Sequence, residues 1–111
     1  MNRVELEGRV AAAPEERELP SGDRLWTCRL VVSREESRVM PSGRRAPSVD
    51  TLDLAAWSAR ARRSMGSWRE GDVVHVEGEL RRRFYRAGGA PVSRIDVEVT
   101  SGRLVRRATS G

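Results

Sequence analysis

Two glycines lie inside segments that otherwise alternate like β-strands, and they constrain the fold more than anything else in the chain. In residues 3–10, Val4, Leu6 and Val10 share one side, Glu5, Glu7 and Arg9 take the other, and Gly8 breaks the apolar row. Residues 73–80 repeat the situation, with Gly78 in the middle of Val73-Val74-His75-Val76-Glu77-Gly78-Glu79-Leu80. A glycine within a strand marks a bulge or a tight bend, and a small barrel needs such bends to close.

The remaining segments fit a barrel of five strands. Pro20, Ser21 and Gly22 form a turn before residues 25–33, where Trp26, Cys28, Leu30 and Val32 share one parity. Whether Leu25 or Trp26 takes the first apolar position of this strand is open, because a bulge reverses the parity. Residues 34–48 hold two prolines, a glycine and four arginines, and read as a mobile basic loop. A third strand over 50–57 sets Leu52, Leu54 and Ala56 against Thr51, Asp53, Ala55 and Trp57, which puts Trp57 on the polar side. Ser58 is placed to cap a short helix over 59–65, with Gly66 or Gly71 to end it. Asp72 opens a fourth strand that runs on through Tyr85, residues 87–91 turn the chain, and a fifth strand alternates Ile95, Val97 and Val99 against Arg94, Asp96, Glu98 and Thr100. The expected architecture is all-β: a five-stranded Greek-key barrel of the oligonucleotide-binding (OB) kind, with one short helix between strands three and four. A single domain over residues 1–107 and a short tail over 108–111 complete it.

Charge narrows the partners. The 111 residues carry a formal net charge of +5 and a pI near 11.0, which favours a polyanion. All 21 basic residues are arginine, each able to fork onto a phosphate and to stack on a base, although the codon bias of a GC-rich genome gives the same composition. Cys28 is the only cysteine and His75 the only histidine, so a zinc site and a Cys-His pair are both out of reach. Asp50 and Asp53 point to opposite faces of one strand, and Gly88-Gly89 lacks the lysine and hydroxyl of a phosphate loop. The reading is therefore of a non-enzymatic protein with no cofactor, metal or small-molecule substrate. Charged residues at positions 3, 5, 7 and 9 leave no apolar stretch for a signal peptide or a membrane span, so a cytoplasmic protein is expected.

Several segments resemble the bacterial single-stranded-DNA-binding protein family: residues 2–9 (NRVELEGR), Ser21-Gly22 followed by Leu25, Cys28 and Leu30, residues 50–57, and above all residues 70–85 (EGDVVHVEGELRRRFY). The likeness runs over roughly residues 2–105. It implies an OB-fold subunit that assembles as a homotetramer, with its first strand in subunit contacts, and binds single strands without strong sequence preference. It also implies that Trp57 and Tyr85 stack bases while Arg81 and Arg83 meet phosphates. Strand geometry reaches the same residues separately, because Arg81, Arg83 and Tyr85 share a parity and so one face of the fourth strand. Arg86, beside Tyr85, joins this set, and Arg34, Arg38, Arg44 and Arg45 add charge contacts from the basic loop.

The chain also departs from the family. Thr51 stands where an aromatic is frequent, Asp53 puts a negative charge on the face of Trp57, and residues 1–111 do not include the glycine-rich linker and acidic tip that recruit partner proteins in the family; if this is the whole protein, that recruitment is not expected. The chain thus resembles a short form. Other residues read as structural: Phe84 as core by its opposite parity, Trp68 as packing the helix on the barrel, Arg60, Arg62 and Arg63 as solvated, and His75 as a surface strand residue. Two functions follow: binding and protection of single-stranded DNA in replication, repair or recombination, or an OB-fold protein-interaction module, such as a hetero-oligomer partner of a longer homologue.

Overall fold

The alternating residues of the first segment form β1 (Val4–Val10) of a computed structural model that describes residues 1–34, 39–45 and 48–109. It is followed by β2 (Glu15–Glu18), β3 (Arg24–Ser33), β4 (Val49–Ala56), the helix α1 (Ala59–Gly66), β5 (Val73–Ala87) and β6 (Ala90–Arg106). Antiparallel pairing joins β1 to β5, β5 to β6 and β4 to β3, and a short parallel contact, Leu54 beside Val97 and Ala55 beside Glu98, joins β4 to β6. Arg9 and Val10 then pair with Val31 and Leu30 of β3, which closes five strands into a barrel.

The short β2 was not foreseen. Its four residues are all exposed and none is apolar, so no hydrophobic pattern announces it; it lies outside the ring, paired only to β3. Among the ring strands β4 and β5 are the third and fourth, and α1 stands between them as expected. The Ser58 hydroxyl accepts a hydrogen bond from the Ala61 N–H at 3.1 Å, and Ala61 and Met65 on the inner face are fully buried. Trp68 closes the same end, its ring lying over Gly102, where a side chain would collide with it.

Both mid-strand glycines are required by close approach. A Cβ on Gly8 would overlap the Val31 carbonyl, and one on Gly78 the Glu98 carbonyl, so a neighbouring backbone passes where a side chain would stand. At Gly78 the β5–β6 register also shifts, and the strand bends there. The core inside the ring consists of Val10, Cys28, Leu30, Leu54, Ala56, Val74, Val76, Val97 and Val99 with the helix residues; Trp26 packs partly against it. Leu25, on the other face of β3, is buried as well, so the two readings of this strand are both met by its two faces. Burial pushes the Cys28 thiol up to about 11, which keeps it protonated at neutral pH.

Asp72 sits just before β5 and is fully buried. Its carboxylate accepts from the Arg69 N–H at 2.8 Å, the Ala108 N–H at 2.9 Å and Arg107 Nη1 at 2.7 Å, while its backbone carbonyl accepts from Val10 N at 2.8 Å. Burial alone raises its pKa and is the largest single influence. The donors and the charge of Arg107 together outweigh it, and the carboxyl ends below its ordinary value.

Beyond Leu80 the β5–β6 pair leaves the barrel as a two-stranded arm, closed by Gly88 and Gly89 at φ 58° and 81°, the left-handed pair that a two-residue hairpin turn demands. This overturns the expectation that Phe84 belongs to the core. Phe84 is 76% exposed and Ile95 53% exposed, because the core lies below the arm and neither residue has a layer to pack on. The last strand is also longer than its alternation suggested, 17 residues from Ala90 to Arg106. His75 is half-buried between Glu5 at 3.4 Å and Glu7 at 3.6 Å. Glu5, His75 and Glu77 bring their donor atoms within 4.8 Å of one another, and Arg3, at 3.5 and 3.7 Å from the two carboxylates, already supplies positive charge there.

Candidate nucleic-acid interface

The β2–β3 hairpin and the arm stand as two walls on the outer surface of the barrel, with β4 as the floor between them. Arg17, Leu19, Leu25 and Thr27 line one wall; Arg83, Tyr85, Arg94 and Asp96 line the other; Asp53, Ala55 and Trp57 form the floor. The groove holds about 740 Å³ and is open to solvent. It uses the second and third ring strands and the two flanking hairpins, the surface by which OB barrels take oligonucleotides.

Its centre is Trp57. The residue is half-buried, and the Arg83 guanidinium lies over its ring at 5.2 Å, within reach of the ring's negative face. Arg83 Nε donates to Asp96 Oδ2 at 3.0 Å, and its Nη2 stays 3.7 Å from Glu98, beyond hydrogen-bonding distance. Trp57 Nε1, Arg83 Nη2 and Asp96 Oδ1 are all buried and have no hydrogen-bond partner among the described residues. Buried polar atoms are nearly always satisfied by protein, ordered water or ligand, so two donors and one acceptor in this groove are open to a water or a ligand group.

The structure brings together three of the sequence-predicted site residues, Trp57, Arg83 and Tyr85, the last 47% exposed at the rim. Arg81 lies on the same face of β5 but lower, held by Glu79 and, at 3.2 Å, by Glu98. Arg86 is near the arm's tip and donates to the Gly89 carbonyl at 3.2 Å. Arg34 stands at the end of β3 with both its forks on Asp50, at 2.8 and 3.2 Å; the bond from Arg34 holds that carboxyl below its usual range. Arg44 and Arg45 are exposed between β3 and β4, outside the groove lining, and Arg38 lies outside the described residues.

Asp53 does not oppose Trp57 with a free charge, since it pairs with Arg94 at 3.0 Å and Arg29 at 3.5 Å. Arg62, expected to be solvated, is instead half-buried and lines a small cleft with Trp57. Sequence reasoning missed Arg17 and Arg94. A hairpin register counted back from Gly88-Gly89 would have placed Arg94 opposite Arg83; nothing in the apolar pattern points to Arg17, which rides on β2.

Comparison with known proteins agrees with this geometry. Residues 1–105 match the Single-strand binding protein family, and the chain belongs to that family. A Plasmodium falciparum SSB solved in complex with ssDNA has the same fold at a TM-score of 0.74 and 21% identity, with 96% of this chain and 94% of that one covered. The small single-stranded DNA-binding protein of Streptomyces coelicolor is similar at a TM-score of 0.62 and 22% identity, over 92% of each chain. A deletion mutant of the Thermus aquaticus single-stranded DNA binding protein is similar at 0.73 and 21%, over 96% of this chain and 51% of that one. A search of curated proteins found no match.

Proposed function

We propose that the protein binds single-stranded DNA, without dependence on sequence, in the groove between the β2–β3 hairpin and the arm. Trp57 and Tyr85 stack bases there, and Arg81 and Arg83 meet phosphates, with Arg86 at the arm's tip and Arg34, Arg38, Arg44 and Arg45 adding charge. The observation that carries this reading is the half-buried Trp57 under Arg83, with unsatisfied donors beside it, in a groove of the family's own fold. It serves the processes that expose single strands: replication, repair or recombination. Among the described residues no helix is long and apolar enough to cross a membrane; work at the nucleoid follows from the proposed DNA binding.

Assembly as a homotetramer belongs to the same proposal. Residues 4–8 of β1 pair with β5 on one side only, among the described residues, and such an edge is available to a second copy. Titration with labelled oligo(dT) at several salt concentrations, beside duplex DNA, tests the binding; light scattering at micromolar concentration tests the assembly. Tight, salt-dependent binding to oligo(dT) but not to duplex is the expected outcome, with a mass above 12.4 kDa. One observation favours the rival reading of a protein-interaction module: Arg81, Arg83 and Arg94 each already hold a carboxylate. No binding to oligo(dT) at low salt would leave that reading in its place.

A further inference from the structure

The two faces of the arm differ in charge. On the groove face, β5 contributes Glu79, Arg81, Arg83 and Tyr85 and β6 contributes Arg94, Asp96 and Glu98, by strand alternation and cross-strand register. Three arginines stand among three carboxylates there: Arg81 pairs with Glu79 and Glu98, Arg83 with Asp96, and Arg94 with Asp53 of β4. The reverse face carries Leu80, Arg82, Phe84 and Arg86 from β5 with Ser93 and Ile95 opposite, and no carboxylate. Phe84 is the most exposed aromatic of the arm at 76%, and it stands between two arginines of its own strand face. Arg82 and Phe84 also reach the edge of the groove, so the two surfaces are continuous around β5.

We propose that this reverse face is a second contact surface for the same strand, which passes around the arm so that Phe84 stacks a base and Arg82 and Arg86 take the flanking phosphates. The charge decides the occupant. An exposed ring beside two cations suits a polyanion with flat bases, whereas a second copy of this face would set arginines against arginines. Strand alternation had assigned Phe84 to the core; the arm's departure from the barrel leaves its ring with no protein to cover it.

The proposal rests on the reading that the protein binds single strands, and the test separates the two. Phe84→Ala in the full chain should weaken binding to oligo(dT) by about 5- to 150-fold, the effect of losing one stacked base. Arg82→Ala should make the slope of log K against log salt shallower by about 0.7. Phe84→Trp should keep the parent affinity and gain emission that oligo(dT) quenches. If the parent chain fails to bind, both readings fall. If Trp57→Ala weakens binding while Phe84→Ala leaves it at the parent value, the groove stands and the second surface is refuted. A change of mass in Phe84→Ala without DNA would assign the face to contact between copies and overturn the proposal as well.

Discussion

Arg83 carries competing loyalties in a few ångströms: it lies over Trp57, bonds Asp96, and still has a free Nη2. On the proposed reading, a phosphate entering the groove would compete with Asp96 for that guanidinium, and the carboxylate would set how tightly a strand is held. Asp96→Asn should strengthen oligo(dT) binding, most visibly at low salt, and Arg83→Ala should weaken it and reduce the salt slope by about 0.7. On the same proposal the two aromatics would act through another force, stacking on bases. Trp57→Ala and Tyr85→Ala should each cost about 1 to 3 kcal/mol of binding while leaving the salt slope nearly unchanged, as read from titrations at three or more salt concentrations. Parent affinity in both variants, with the fold intact by circular dichroism, would remove stacking from the account.

Among the elements, β5 explains both what the sequence reveals and what it hides. Its glycine is legible because a strand seldom keeps one without need, and Gly78 indeed lies against the Glu98 carbonyl. Gly78→Ala should therefore lower stability by about 1 to 3 kcal/mol, seen as an earlier urea midpoint, since the overlap is with backbone and no side chain can rotate away. The five ring strands, the Ser58 cap and the groove positions of Trp57 and Tyr85 are legible for related reasons: each follows from period, capping or parity within one segment. Phe84 was misplaced, and Ile95 is exposed despite sharing the parity of Val97, because parity tells which residues share a face and not where the core beneath that face stops. Arg17 and Arg94 were invisible because their place in the groove depends on strands brought together only in the folded barrel. β2 lacks any apolar residue and exists through its pairing with β3 alone.

At the scale of the molecule, the clamp on Asp72 joins the turn after α1 to the far end of β6, across 36 residues of sequence. Its lowered pKa makes folding stability depend on acid. A carboxyl whose folded value lies below its unfolded one, about 3.9, contributes stability above that unfolded value and loses it as the pH falls through the folded value. Thermal melts from pH 7 to pH 3 should show that loss starting near pH 4. Asp72→Ala should flatten this component and cost on the order of 1 to 3 kcal/mol at neutral pH, through the donors left without an acceptor. The same clamp has a bearing on synthesis. A growing chain presents Asp72 well before Arg107 and Ala108 leave the ribosome, and until they arrive the buried carboxylate lacks two of its three donors. The clamp is thus completed only 35 and 36 residues after Asp72 has been made, and the nascent barrel stays open to correction until then.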